Sequence, residues 1–586
     1  MPANAEIARL LHELAMLVEL EERDRQSFRA RAYHNAVRAL EVEPRDVRTL
    51  SQQQLVAIKG IGPAIAKRIR EFAETGAIAR LEELRERFPP GYQELVRVPG
   101  IGPKTLELLR EHLDIRSIDD LKAALAAERL RDVPGLGAKT EENLTKAIER
   151  LGMVGKDRRT PIVEALPLAE RIVGVLQRVP GVDRVAYAGS LRRFRETVAD
   201  VDIVAATDEP APLTEAFLAM PIVREILATG VTKSSVLVEG SVQVDLRVVA
   251  PGQWGAAMLY FTGSQAHNIR IRERAVRRGW TLNEYGLFEL VEEDGEVRTG
   301  ELLASASEAE IYSRLDLTWI PPGVREDIGE VDAAADGALP EFASVDDMRG
   351  DLHVHTDLSG DGHQTLEEVV EIAISRGYEY LAITDHGEDL RINGASREEM
   401  LAQRDRVAEL REAQPGLTIL HGAELNIGQD GGLDYDEEFL LGYDWTVASV
   451  HSHFGLDPDV QTRRVIRAME HAAVGAIGHL QGRRIGRRPG IELDVDAVLA
   501  AAEETGTAIE INCHLDRLDA PVEVLRAARG TGVTFVVSTD THRHHEFGNM
   551  RHGIRQAERG WVPKERIANT WDRERFLAFV AAKRSR

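Results

Sequence analysis

The sequence predicts a multidomain chain, helical at its N-terminus and α/β beyond it, closing in a barrel of alternating strands and helices. Three observations carry this. A Gly-apolar-Gly pattern followed by a helix recurs in IKGIGPAIAKRIREF, VPGIGPKTLELLREH and VPGLGAKTEENLTKAI. One stretch, GSLRRFRETVADVDIV at 189–204, alternates carboxylates with apolar residues at strand period. Beyond residue 349, short apolar strands end one after another in histidine, aspartate or glutamate. With 586 residues the prior is three to five domains.

Composition narrows the classes. A formal charge of −24 excludes a uniformly basic coat for nucleic acid, so any contact with DNA must come from local basic patches. The single cysteine, Cys513, excludes a disulfide framework and fits a reducing compartment, with packing as its expected role. The start, MPANAEIARLLHELAML, lacks the basic flank and unbroken apolar core of a signal peptide, and no stretch is long and apolar enough to span a bilayer. A soluble cytoplasmic protein without a membrane partner is expected.

In chain order, Ile7, Leu10, Leu11, Leu14 and Val18 recur at helical spacing, as do Phe28, Ala32, Ala36 and Leu40. These are core stripes. The repeats that follow suit helix-hairpin-helix units, with Gly60 and Gly62, Gly100 and Gly102, and Gly135 and Gly137 at the turns. Paired glycines permit a tight turn, and the unpartnered N–H groups opening the next helix favour a phosphate. Lys67, Arg68 and Arg70, then Lys104, then Lys139 add charge there. One such turn is an ordinary loop; three point to sequence-independent grip on a DNA backbone.

From about residue 156 strands alternate with helices. Asp200 and Asp202 emerge on one face of a strand whose Val201 and Ile203 pack behind. Paired carboxylates repel unless a cation lies between them, and Mg²⁺ is the simplest choice because it shares its shell with substrate phosphates. Gly189 and Ser190 offer backbone N–H groups, and Arg192 and Arg193 forked donors, to an anion. The competing view is a solvated charge cluster on a surface strand. Asp245, in GSVQVDLRVVA, adds a third carboxylate and the means to hold two ions. In YFTGSQAHNIRIRERAVRRGW a helix starts near Thr262 to Ser264. Asn268 and Arg272 share one face, while Arg270, Arg274 and Arg277 share another; such a basic helix is either merely solvated or, beside a metal-bound triphosphate site, tracks a template duplex, which is the better reading.

Residues 326–348 are rich in Ala, Asp, Glu and Gly without apolar period and predict a linker. Beyond it, strand ends present His353, His355, His386, Glu424, His451, His479, Asp540 and His542, with Asp361 in the loop after the first strand; Asp357 is the alternative there. Such convergence predicts a multi-metal site in a βα barrel, and mixed N and O ligands fit Mn²⁺ or Zn²⁺ better than Mg²⁺ alone.

Taken together, RAYHNA, the hairpins, GSLRR, DVD, VDLRVV, YFTGS and NEYGLF resemble the bacterial family X DNA polymerases, relatives of DNA polymerase beta. Residues 349–586 resemble a PHP domain, the polymerase and histidinol phosphatase fold. The resemblance implies an N-terminal helical domain over 1–80, a fingers-like domain over 81–155, a nucleotidyltransferase palm over 156–260, a thumb over 261–325, and a distorted (β/α)7 PHP barrel over 349–586. It implies Asp200, Asp202 and Asp245 as catalytic metal ligands, with Asp245 on the side of the primer 3′-hydroxyl. Ser190 and Arg193, with Gly189 and Gly263, would hold the triphosphate. Tyr260 and Phe261 would line the sugar pocket, with Asn268 and Arg272 against the nascent pair. Nine barrel residues would serve three ions.

The implied activity is templated filling of short gaps, as in base excision repair, combined with 3′–5′ removal of nucleotides or blocking groups. Expected partners are gapped or 3′-blocked DNA and deoxynucleoside triphosphates, and the expected state is a monomer. Departures from the family pattern are Arg68 at the position of the lyase lysine, Ala199 in place of glycine, the loop Ser359-Gly360-Asp361-Gly362, and Leu480 after His479. A guanidinium cannot replace a deprotonated amine, so lyase activity is not expected. The alternative is chiefly a 3′-end nuclease with a weak polymerase half. A non-catalytic scaffold would not need both ligand sets, and a small-molecule phosphatase would not need the hairpins.

Overall fold

The computed structural model describes residues 3–22, 28–42, 47–58, 60–88, 95, 101, 103–127, 129–137, 139–141, 144–145, 159–293, 296–390 and 392–586. They form two compact units, Met1–Arg158 and Arg159–Arg586.

The first unit is helical. Helices α1 (Ala3–Glu22) and α2 (Phe28–Val42) pack through the expected stripe, with Ile7, Leu11, Leu14, Ala36 and Leu40 buried. In the first hairpin Gly60 takes φ +104° and Gly62 caps α3 (Pro63–Thr75), whose proline occupies the first turn where no N–H is missed. A Cβ on Gly60 would lie 3.2 Å from the Asn35 carbonyl, so the turn needs glycine for space as well as for φ. Arg68 on α3 pairs with Glu71 at 2.9 Å. The second repeat supplies α4 (Pro103–Leu113), while Gly100 and Gly102 and the side chain of Lys104 lie outside what is described. In the third, Gly135 takes φ +88°, the Gly137 carbonyl accepts from the Thr140 and Glu141 amides, and Lys139 is exposed.

The second unit opens with α5 (Ile162–Leu176) and a mixed sheet of β1 (Val182–Tyr187), β2 (Asp200–Thr207), β3 (Val223–Ala228), β4 (Lys233–Val238) and β5 (Gln243–Val249), ordered β1-β2-β5-β4-β3. Strand period decides its layers. Val201, Ile203 and Ala205 of β2 enter the core shared with α5, while Val204 and Ala206 pack on the other face with Ala257 and Met258. Asp200 and Asp202 lie on this second face. Between β1 and β2 sits the four-residue helix α6 (Gly189–Arg192).

The thumb follows, with α7 (Trp254–Thr262), α8 (Gln265–Val276), an antiparallel sheet of β6 (Trp280–Asn283), β7 (Gly286–Glu293) and β8 (Glu296–Ala304), and α9 (Glu308–Arg314). The Ser264 hydroxyl caps α8 by accepting from the His267 amide at 3.2 Å. Residues 326–348 differ from the linker expected of them. They include α10 (Glu330–Ala335), whose Val331 and Ala334 join the thumb core and whose buried Glu330 lies 2.7 Å from His267. A short apolar stripe of i and i+3 residues was enough, and the Ala- and Asp-rich composition concealed it.

The barrel comprises seven parallel strands in chain order: β9 (Gly350–Val354), β10 (Tyr380–Ile383), β11 (Thr418–Asn426), β12 (Trp445–Ser449), β13 (Val474–Gly478), β14 (Ala508–Asn512) and β15 (Phe535–Ser538). A parallel bridge between Val354 and Thr541 brings the end of the last strand back to the first. Helix α11 (Met550–Arg559) lies outside β14 and β15.

Palm, thumb and barrel share surfaces. Ile485 and Leu518 of the barrel belong to the palm core, and Trp561 to the thumb core. Arg483 pairs with Glu196 at 2.9 Å, His552 stacks on Phe194, and the Gly323 amide donates to Glu558 at 2.7 Å.

Candidate active sites

Parallel pairing of β2 with β5 sets Asp202 directly beside Asp245, with Asp200 two residues along on the same face. The Lys233 ammonium reaches Asp245 at 2.9 Å and Gln243 donates to it at 2.9 Å. Burial and the neighbouring Asp200 and Asp245 push the Asp202 carboxyl up to about 7; burial and Asp245 raise Asp200 as well. Burial would also raise Asp245, but hydrogen bonds from Lys233, Gln243 and Ser235 hold it below the ordinary range. Three carboxylates at mutual cost are what a divalent cation relieves, so the donor set fits a hard ion.

Gly189 is buried at φ +61°, and a Cβ there would lie 2.2 Å from Asp202 Oδ2. Glycine at this turn makes room for the carboxylate. Ser190 is half-buried beside it and Ala199 is exposed.

Arginines of the GSLRR turn serve the scaffold. Arg192 is locked in a bidentate pair with Glu308, which also takes Arg325 at 2.7 Å. Arg325, Arg192 and their hydrogen bonds hold Glu308 at about 2 despite the burial that opposes ionisation. Arg193 pairs with Glu326 at 3.0 Å and donates to the Thr262 carbonyl, which ties it to the turn of Gly263. Arg193 was expected at the triphosphate, and in this structure its fork is occupied by a carboxylate from the segment after the thumb.

Tyr260 and Phe261 meet edge to face at 5.1 Å. Asn268 Nδ2 donates to the Tyr260 carbonyl at 2.8 Å, and Arg272 lies over the Tyr260 ring at 5.8 Å. The structure therefore joins Tyr260, Asn268 and Arg272 into one surface beside the palm. The second basic face of α8 behaves otherwise than expected: Arg270 pairs with Asp332, and Arg274 donates to the Leu315 and Asp316 carbonyls, so both brace the thumb. Helical spacing shows which residues share a face and not what covers it.

In the barrel, all nine expected residues converge. His353 Nδ1 is fixed by Glu510 at 2.7 Å, leaving Nε2 3.4 Å from Glu424. His355 Nε2 stands 3.3 Å from Asp540. Glu424 lies central, 2.9 Å from His386 Nδ1, 3.1 Å from His451 Nε2 and 2.9 Å from His479 Nε2. Asp361 Oδ1 lies 3.6 Å from His386 and 3.5 Å from His542, while Asn393 holds its other oxygen at 2.7 Å. Asp357 is exposed, so the longer loop delivers Asp361. Burial would raise the Glu424 carboxyl, yet His451, His353 and His386 hold it well below the usual range. Burial, with His542 and His386 adding to it, pushes His355 well below its ordinary value.

Ring nitrogens of His353, His355, His386, His479 and His542, and Asp361 Oδ1, are buried without a hydrogen-bond partner. Among the described residues four overlapping groups, His355-His386-His542, His353-His355-Asp540, His386-Glu424-His451 and His514-His542-Glu546, each bring their ligand atoms within 4.8 Å. Orphaned donors in that density fit divalent metals bound by nitrogen and oxygen.

Several supporting residues escaped the sequence. Glu510 holds His353 and accepts from the His479 amide, Asn426 accepts from His451 at 2.7 Å, and Asp385 gathers Thr356, Ser359 and Gln403. The signal for Glu510 was a carboxylate between Ile509 and Ile511 in a barrel strand; Asn426 closes a strand that also carries His421 and Glu424 and had no such signal.

Fold and sites define a nucleotidyltransferase palm and thumb joined to a multi-metal phosphoesterase barrel. Family models match as DNA polymerase beta thumb over 257–326, Helix-hairpin-helix domain over 2–78, SAM-like Helix-hairpin-helix tandem over 92–150, and PHP domain over 351–514. The chain is 36% identical over 580 residues to the DNA polymerase/3'-5' exonuclease PolX of Bacillus subtilis (strain 168), covering 98% of this chain and 99% of that protein. The chain is also 32% identical over 245 residues to a probable phosphatase of Acetivibrio thermocellus, 40% of this chain and 96% of that one. A probable phosphatase of Thermoanaerobacter sp. (strain X514) is 29% identical over 238 residues, 38% and 89% respectively. The chain belongs to the bacterial family X DNA polymerases that carry a C-terminal PHP domain. No helix among the described residues is long and apolar enough to cross a membrane.

Proposed function

We infer that the chain extends primer 3′ ends at the palm and removes 3′-terminal nucleotides at the barrel, acting in the cytoplasm as a monomer on short gaps and blocked ends. The observation that carries this is the presence, in one compact unit, of two separate centres: three crowded carboxylates in the palm and, in the barrel, a cluster of buried ring nitrogens without hydrogen-bond partners.

At the palm, Asp200, Asp202 and Asp245 would hold two Mg²⁺, which would offset charge on the attacking and leaving oxygens. Asp245, paired with Lys233 at 2.9 Å, would receive the primer hydroxyl proton. Tyr260 and Phe261 bound the sugar, and Asn268 and Arg272 the minor-groove edge. Ser190 would orient the triphosphate, and Arg193 would do so on release from Glu326. Hairpin glycines at Gly60, Gly62, Gly135 and Gly137 with Lys139 would grip phosphates on either side of the gap, as would Gly100, Gly102 and Lys104.

At the barrel, the nine residues would hold three ions, Mn²⁺ or Zn²⁺ by donor type, and these would activate water and neutralise the phosphoryl oxygens. Glu510 keeps His353 in the tautomer that presents Nε2 inward, and Asn426 does the same for His451.

The test is an assay on gapped DNA with Mg²⁺ and Mn²⁺. Asp200→Ala with Asp202→Ala should abolish extension and leave trimming within twofold, and His353→Ala with His355→Ala should do the reverse. Full trimming by the barrel variant would refute the division. Occupation of Arg193 by Glu326 favours a second view in which trimming dominates; Glu326→Gln raising extension would support it.

A further inference from the structure

After His479 the chain forms a tight hairpin that none of the chemistry above uses. Arg484 and Arg488 exchange backbone hydrogen bonds at 2.9 Å, and Gly486 takes φ +74° at the tip. Ile485 is buried in the palm core, which anchors the hairpin from one side. Its remaining face is basic. Arg483 is neutralised by Glu196 and Arg484 by Asp516. Arg487 is exposed, and among the described residues neither it nor Arg488 has a carboxylate within ion-pair distance. The Arg488 guanidinium donates to the Gly482 carbonyl and lies 3.9 Å over the ring of Phe454.

Arg484 and Arg488 line two cavities at once. One is an open groove of about 750 Å³ running between Glu196 and Thr197 on the palm and Pro521 and Val524 on the barrel. The other, of about 480 Å³, contains His386, His451, His479 and Asp540, with Phe454 and Arg517 at its wall. In a chain of formal charge −24, Arg488 stands unneutralised against an aromatic ring where the groove meets the barrel cavity, and Arg487 lines the groove beside it.

We propose that this hairpin is a strand guide. It holds the backbone of a single-stranded DNA 3′ segment a few nucleotides upstream of the bond cut in the barrel, with Arg487 and Arg488 on phosphates and Phe454 as a stacking face. Guanidinium forks match phosphate oxygens, and aromatic stacking accepts any base, so the guide works without reading sequence. The inference rests on the exonuclease activity proposed for the barrel.

The experiment uses the full chain carrying Arg487→Glu with Arg488→Gln, with Arg573→Glu, an exposed barrel arginine, as a charge control. Substrates are a twelve-nucleotide single strand, a dinucleotide and a nitrophenyl phosphodiester. For the long strand, KM should rise about tenfold with kcat within twofold, and the log–log salt dependence should flatten by about 0.7 for each phosphate no longer held. Turnover of the dinucleotide and of the small ester should stay within twofold, as should all values for the control. Phe454→Ala should also raise KM for the long strand only. An unchanged KM, or an equal fall on all three substrates, overturns the guide. Failure of the parent chain to shorten the long strand would count against the exonuclease proposal itself, which separates the two.

Discussion

Asp202 shows how one side chain records a site's purpose. Its carboxyl keeps its proton to about 7 when buried beside Asp200 and Asp245, whereas in the unfolded chain it releases it near its ordinary value. The raised value stabilises the fold fully at acid pH, and that contribution is lost as pH rises from about 4 to about 7, at about 1.4 kcal/mol per pKa unit. In chelator, Asp202→Asn should therefore melt higher than the parent at pH 8, with the gap closing towards pH 4. A melting-temperature gap that does not change with pH would remove burial of charge as the explanation. Asp200 and Asp202 were legible as a pair because strand period puts alternate residues on one face, whereas the place of Asp245 beside Asp202 is set by the pairing of β2 with β5. The role of Gly189 was legible only in part: its turn was expected to meet phosphate, but the space it leaves belongs first to Asp202 Oδ2.

At the scale of elements, the thumb is pinned to the palm by α9. Glu308 gathers Arg192 of α6 and the fully buried Arg325, and the Arg325 guanidinium also lies over Tyr312. Removing one partner strands the others, which costs about 3–5 kcal/mol in buried ion pairs. Glu308→Ala should lower the unfolding free energy of the palm–thumb transition, read from urea melts, by that amount, and Glu308→Gln by less; a loss under about 1 kcal/mol for the alanine variant would show that the arginines find other partners. Nothing local announces this knot, since Arg192 and Glu308 are 116 residues apart. The same holds for Glu510, 157 residues from His353. Strand-end histidines and glycine turns advertise themselves through spacing; partners brought together by tertiary packing do not. Helix α10 was missed for the opposite reason, because its apolar stripe is short and its composition is that of a connector.

For the molecule as a whole, sequence pattern separated palm from barrel correctly as chemistries but understated their union. Ile485 and Leu518 fill the palm core and Trp561 the thumb core, each such side chain contributing about 1.5–3 kcal/mol on burial. A chain ending at residue 348 should therefore melt several degrees below the intact protein and extend primers more slowly. Equal melting and equal extension by the shortened chain would mean that the shared core is dispensable.

The hairpin that carries Ile485 also limits how such proteins can be assembled from interchangeable pieces. Only six positions separate His479 of the barrel cluster from Ile485, a plug in the palm core. A barrel taken from a free-standing phosphatase and grafted onto this palm would need apolar residues at the positions of Ile485 and Leu518, or it would leave a hole. Recombination between the two kinds of protein is constrained at loops outside either catalytic inventory.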